Sequence, residues 1–321
     1  MNKIKRSLHL LKTSFAILLQ KKKLLLFPFI NSGVALVVAL FFIAPVALYP
    51  TGHPYSSSAH WSVIGERITH AFSPAMQRVS HHDQTGNETT AFAPGGITGV
   101  FFQHGWFALF FAVIYFLSMF LGTFCNVAFY HEIMQALNGH AVSLRRGFQF
   151  ATMRWRAVLM WSLFAGLVGF IIRAIEQRVG FLGRIITGFI GFAWSVACIF
   201  IIPTLVRDTE TENPVKLLRH SAGTLKRTWG ELVVGFVGLD ALLFFIIIPV
   251  IFLAGMIGSV FHHIWMPLFV FAAMFLMILP LSWVKNVVNA VYRCALFIYA
   301  TEGVVPEPFD KELLDSAWKV K

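Results

Sequence analysis

The sequence predicts an all-α fold: a polytopic transmembrane helical bundle of about six spans, with amphipathic interfacial helices on the cytoplasmic side. Three observations predict it. Hydrophobic residues make up 57% of the 321 positions and charged residues only 13%, about half the charged share of a soluble domain. The apolar residues form long runs at Leu24–Tyr49, Trp106–Tyr130, Ala157–Ile172, Gly188–Val206, Val233–Ile257 and Ile264–Leu281, most of them near or beyond the roughly 20 residues that cross a hydrocarbon core. Basic residues gather at alternate ends of these runs.

That alternation sets the topology. With the N-terminus in the cytoplasm, segments 1–23, 131–156, 207–232 and 285–321 are inside and hold 7, 4, 5 and 5 Lys plus Arg. Segments 50–105, 173–187 and 258–263 are outside and hold 2, 3 and none. The excess of 21 over 5 places both termini in the cytoplasm. Leu24–Tyr49 is about twice as long as a signal peptide's apolar core and "IAPVALYP" offers no clear cleavage site, so it reads as a retained first span. Three regions follow: a cytoplasmic amphipathic helix at 1–23, a six-span domain at 24–302 with an extracytoplasmic loop at 50–105, and a cytoplasmic tail at 303–321. The net charge of +11 then meets a lipid bilayer with anionic head groups at the cytoplasmic face, not nucleic acid. A homo-oligomer or another membrane partner stays open.

In the first helix Ile4, Leu8, Leu11, Phe15 and Leu18 share one face, with Lys5, Lys12 and Thr13 off it, the pattern of a basic helix lying flat in the head-group layer. Lys21, Lys22 and Lys23 separate it from the first span. In the outer loop, Ile64, Ile68, Phe72 and Met76 repeat every four residues and predict a short amphipathic helix, while "HHDQTGNETTAFAPGG" reads as a flexible linker. The third run has 16 uninterrupted apolar residues before Arg173, about 24 Å of helix. The third and fourth runs are therefore either two spans or a re-entrant hairpin.

A basic amphipathic segment also precedes the third run, with Leu144, Phe148, Ala151 and Trp155 on one face. Another precedes the fifth, with Val215, Leu218, Ala222, Leu225 and Trp229 on one face, opened by Asn213 and Pro214. "LLKTS" at 10–14 matches "LLRHS" at 217–221 in residue class at four of five positions. A unit of interfacial helix, basic turn and two-span hairpin, used three times, accounts for six spans; convergence on the same local chemistry is the alternative. The sixth run continues through "LSWVKNVVNAVYRCALFIYA" as about 38 helical residues, roughly 57 Å. That exceeds one crossing, so its second half is expected along the cytoplasmic surface with Lys285, Asn289, Tyr292 and Arg293 on the wet side. Prolines 28, 45, 203, 249, 267 and 280 lie in or beside spans and can kink them.

Asp240 is the sharpest single residue. It lies about nine residues, roughly 13 Å, into the fifth run, where a carboxylate costs at least about 2.5–3.5 kcal/mol unless paired or hydrated. It is expected to face the bundle, protonated or bonded to Asn31, Asn126, Ser195 or Tyr130. Asp240, Asn31 and Asn126 thus form an intramembrane polar site, either a proton or cation site or a hydrogen bond that locks helices. Arg173 and Glu176, three apart, are expected to pair at the outer surface. "YHEIMQAL" at 130–137 fails as a zinc helix because position 135 is Gln, leaving His131 and Glu132 as the polar end of the second span. His53, His60, His70, His81, His82, His262 and His263 share no spacing that holds a metal. Cys125, Cys198 and Cys294 lie in apolar segments and imply no disulfide framework. No catalytic residue, metal or cofactor emerges.

Four stretches resemble a known family: "SLHLLKTSFAILLQKKKLLLFP", "IIRAIEQRVGFLGRIITGFIGFAWSVACIFIIPTLV", "KLLRHSAGTLKRTWGE" and "ALFIYATEGVVPEPFDKELLDSAW". The chain is similar to an uncharacterised family of prokaryotic integral membrane proteins, a domain of unknown function, over most of its length outside the 50–105 loop. "RAIE" and "TWGE" are the more specific parts. The resemblance implies a multi-span bacterial membrane protein and carries no established activity or catalytic residue. The expected job is non-enzymatic and permease-like, for a small solute or lipid. The alternatives are an envelope scaffold or assembly component, and a lipid-acting membrane enzyme that would draw on the outer-loop histidines.

Overall fold

The computed structural model describes residues 3–48, 50–72, 77–82, 88–93, 105–179, 181–226, 248–249, 266–306 and 309. They form α1 (Lys3–Gln20), a 3-10 turn (Lys22–Leu25), α2 (Leu26–Ala47), α3 (Ser58–Phe72), strands β1 (Gln77–His82) and β2 (Glu88–Ala93), α4 (Gly105–Leu137), α5 (Leu144–Met153), α6 (Trp155–Arg178), α7 (Phe181–Ala197), α8 (Ile201–Arg207), α9 (residues 214–226) and α10 (Met266–Glu302). The class is all-α, with one small hairpin in the 50–105 segment.

Segments Lys22–Pro45, Leu109–Leu137, Trp155–Glu176 and Ile185–Arg207 are long and apolar enough to cross a membrane, which marks the chain as a membrane protein. The third run gains length because helix continues on both sides of its apolar stretch. With 24 residues, α6 reaches about 36 Å, more than a bilayer core's thickness. The fifth run lies outside the described residues except at 248–249, and the sixth opens α10.

The chain divides into two compact units. One comprises Met1–Ser32, Gly122–Phe164 and Gly191–Lys321; the other comprises Gly33–Leu121 and Ala165–Ile190. The first holds most of the buried side chains. Its centre is the second half of α10, where Val287, Val291, Tyr292, Cys294, Leu296 and Phe297 are shielded together with Leu24, Ile133, Phe200, Leu205 and Leu217. The expected wet side of α10 is therefore corrected: Asn289 and Tyr292 are buried. Their polarity misled because α1, the 3-10 turn and α8 pack on this helix and cover a face that would otherwise be hydrated.

The three amphipathic segments bury part of their marked apolar faces, with Leu18, Ala151 and Leu225, together with neighbouring small residues. In α1, Ser14, Ile17 and Leu18 are buried while Phe15 and Leu19 remain 43% and 55% exposed. On α9, Leu217, Ser221, Thr224 and Leu225 are buried and Val215 is exposed; on α5, Gly147 and Ala151 are buried, and Trp155, which opens α6, is exposed. Small residues permit close helix contact. Large apolar residues need not turn inward where the surroundings are lipid. The matched "LLKTS" and "LLRHS" segments bury matched positions, Ser14 with Ser221, and in the following turn Leu18 with Leu225.

In the second unit, Phe42 stacks on Phe111 at 5.8 Å between ring centres, and the Tyr115 hydroxyl donates to the Gly166 carbonyl at 3.2 Å. The loop helix begins at Ser58, earlier than its hydrophobic repeat, and ends at Phe72; Met76 lies outside the described residues. The expected flexible linker is corrected in part. β1 and β2 pair antiparallel from Gln77 opposite Ala93 to His82 opposite Glu88. Thr89, Thr90 and Phe92 favour strands, but these segments are too polar to display the alternation that announces one.

Candidate functional site

Glu132 anchors the polar network of the first unit. It falls near the C-terminal end of α4, which stops at Leu137 because Gly139 adopts φ +84°. His140 N–H bonds back to the Gln135 carbonyl at 3.0 Å and Gly139 N–H to that of Ala136 at 3.1 Å, closing the terminal carbonyls as a glycine cap does. Ser143 then caps α5 by accepting from Arg146 N–H at 3.4 Å. This tight turn brings α5 across α4 so closely that a Cβ on Gly147 would lie 2.8 Å from the Ala128 carbonyl oxygen and 2.9 Å from Glu132 Cγ.

The crossing places Arg146 on Glu132. Arg146 Nε donates to Oε1 at 2.8 Å and Nη2 to Oε2 at 2.7 Å, while Ser143 N–H reaches Oε2 at 2.7 Å and His131 Nδ1 lies 3.2 Å from Oε1. Glu132 is completely buried. A carboxylate accepts about four hydrogen bonds, so this one is saturated and holds no lone pair for a metal or substrate. The bond to Glu132 raises the Arg146 pKa above the ordinary guanidinium value. Sequence reasoning placed Glu132 at a polar helix end and missed its partner. A lone acid closing an apolar helix, followed within one short turn by Arg145–Arg146, was the available signal.

A second polar joint lies at the break between α7 and α8. Pro203 has no N–H to offer the Ile199 carbonyl and its ring crowds that turn, so the helix cannot run through. Ser221 of α9 mends the gap: its hydroxyl donates to the Ala197 carbonyl at 2.6 Å and accepts from Phe200 N–H at 3.1 Å. Beyond the break, Arg154 donates to the carbonyls of Asp208 (2.8 Å), Thr211 (3.2 Å) and Thr209, pinning the loop after α8.

That loop borders a cleft of about 350 Å³ lined by Arg207, Asp208, His220, Phe297, Thr301 and Glu302. Arg207 Nη2 meets Glu302 Oε2 at 2.6 Å, and His220 Nδ1 stands 3.9 Å from Asp208 Oδ2. Two acid–base pairs where α8 and α10 end can receive a small polar group of either sign by exchanging one internal partner.

The residues expected to form the intramembrane site are described only in part. Asp240 lies outside the described residues. Asn126 donates to the Gly122 carbonyl of its own helix at 2.9 Å, which leaves its amide turned along α4. Asn31 is half-buried on α2. Its neighbour Ser32 makes the interhelical contact, accepting from Trp283 Nε1 at 2.9 Å and donating to the Pro28 carbonyl at 2.8 Å. Ser195 donates to the Gly191 carbonyl at 2.8 Å, and Tyr130 is bonded to Arg293. Arg173 Nη1 lies 3.2 Å from Glu176 Oε2 on α6, with both side chains exposed.

Among the outer-loop histidines, His60 is buried and fully engaged, with Nδ1 2.7 Å from Thr51 Oγ1 and Nε2 3.1 Å from the Ala47 carbonyl. Nε2 must donate to that carbonyl, since a carbonyl oxygen can only accept. The ring joins the end of α2 to α3.

No curated protein and no solved structure matches the chain. Residues 104–306 match the family of unknown function DUF6159, a span that begins at the second membrane helix and takes in the Glu132–Arg146 network, the Ser221 joint and the charged cleft. The chain belongs to that family.

Proposed function

We propose that the chain is a six-span, non-enzymatic, permease-like protein of the bacterial inner membrane that admits a small polar solute or a lipid head group from the cytoplasmic side, with both termini in the cytoplasm. The charged cleft beside Arg207 and Glu302 carries this reading: it stands at the end of the apolar segment Ile185–Arg207 and holds paired charges that a solute can separate. Asp240, deep in the fifth run, would be the polar station further along the path. The charge distribution supplies the orientation.

Reporter fusions at both ends test the threading, and opposite locations would reject it. For transport, cells lacking the protein and cells overproducing it are compared for compounds that accumulate on one side. Uptake of any such compound is then measured in proteoliposomes holding the native chain, Arg207→Ala or Glu302→Ala. Native uptake lowered at least tenfold by either substitution is the expected result. Uptake indifferent to both would remove the cleft from the path.

A scaffold role is the second reading, favoured by one observation. The four described spans bury only 17% to 22% of their apolar windows, and Phe170, Ile171, Phe189, Ile190 and Phe192 stay exposed. Such faces can meet lipid or a partner's spans, and crosslinking from Phe189→Cys distinguishes the two. A lipid-acting enzyme is less well supported, because both ring nitrogens of His60 are already occupied.

A further inference from the structure

We infer that the outward strip of α1 and the lysine turn after it form a docking surface for a layer of anionic phospholipid head groups. Lys12, Phe15 and Leu19 recur at steps of three and four, which places them along one side of the helix. All three are exposed, while Ser14, Ile17 and Leu18 are buried. The helix thus has one side committed to its own chain and another that offers two large apolar groups beside a cation.

The lysine triplet divides in the same way. Lys21 Nζ donates to the His140 carbonyl at 3.3 Å and ties the turn to the end of α4. Lys22 and Lys23 are exposed and continue the basic strip. From Lys3 to Leu25 there is no acidic residue, so the field of this strip has one sign. On α9 the division recurs: Leu217 and Ser221 are buried, whereas Val215, Lys216 and Arg219 are exposed.

Charge complementarity selects the occupant. Protein–protein interfaces are depleted in lysine, whereas an apolar stripe flanked by lysines suits the boundary between acyl chains and acidic head groups. Phe15 and Leu19 would enter that boundary, with the ammonium groups of Lys12, Lys22 and Lys23 at the phosphate level. This assignment needs no transport step and stands or falls separately from the permease reading.

Native mass spectrometry of the full chain tests it. The detergent-solubilised protein is offered equal amounts of phosphatidylglycerol and phosphatidylcholine, and the retained lipids are counted. The native chain is expected to prefer phosphatidylglycerol, and added salt should erode the preference. Joint Lys12→Gln, Lys22→Gln and Lys23→Gln substitution should lower it by roughly fivefold per charge removed. Joint Lys→Arg substitution at the same positions should preserve it, which separates lost charge from lost folding. Equal retention of the two lipids by the native chain overturns the proposal, as does an undiminished preference in the glutamine variant. Disulfide trapping of Leu19→Cys between two copies in native membranes would put a second chain on the strip and also overturn it.

Discussion

Arg146 grips the buried carboxylate of Glu132 with two nitrogens, at 2.8 and 2.7 Å, across the fourteen positions that separate them. The pair fixes how α4 and α5 cross, and through α5 it sets where α6 begins. Since every acceptor position on Glu132 is filled, the pair holds structure together and leaves chemistry to other groups.

Removing one partner should therefore cost more than removing both. Arg146→Met strands a charge in a site closed to water, and breaking such a pair costs about 3–5 kcal/mol. The Arg146 side chain is 39% exposed, so the lower end is expected, about 3 kcal/mol. Glu132→Leu combined with Arg146→Met should recover much of the loss. Unfolding followed by tryptophan fluorescence in detergent gives the comparison, and a double variant no more stable than Arg146→Met would contradict this account.

Gly147→Ala tests the crossing from the other side. Its new methyl would press on the Ala128 carbonyl and on Glu132 Cγ, and overpacking of this kind costs about 1–3 kcal/mol. The same unfolding measurement should show a loss in that range. Wild-type stability would mean that the two helices separate freely.

At the α7–α8 break, Ser221→Ala leaves Phe200 N–H without its acceptor in a buried setting. About 1–3 kcal/mol should be lost, and faster amide exchange at Phe200 should accompany it. Ser221→Thr keeps the hydroxyl and should retain most of the stability. Unchanged exchange at Phe200 in the alanine variant would dismiss the joint.

Burial pushes the Cys294 thiol pKa above its ordinary 9.0. In a background with Cys125 and Cys198 replaced by alanine, maleimide should modify Cys294 only after unfolding. The raised value also gives a pH dependence. Its contribution is fully present below pH 9 and declines above it, because the unfolded chain then releases a proton that the folded chain retains. The difference in stability between native and Cys294→Ala protein should narrow from pH 8 to pH 10; a widening gap would reverse the sign.

Local pattern made the long elements readable. The run from Ile264 onward announced one helix of about 38 residues, and α10 has 37. What surrounds each face was harder to read. Asn289 and Tyr292 suggested a wet surface that neighbouring helices cover. Hydrophobic periodicity separates faces without naming what lies against them, and in a membrane protein the exterior can be as apolar as the core. Short-range signals failed for Glu132 because its partner arrives only after the chain has turned, and for β1 and β2 because their residues do not alternate.

The Ser221 hydroxyl also has a bearing on biogenesis. During synthesis, Phe200 joins the chain 21 positions before the side chain that satisfies its amide. The lower end of the fourth hydrophobic segment therefore cannot reach its final form on insertion alone. Its completion waits for α9 to emerge and fold back.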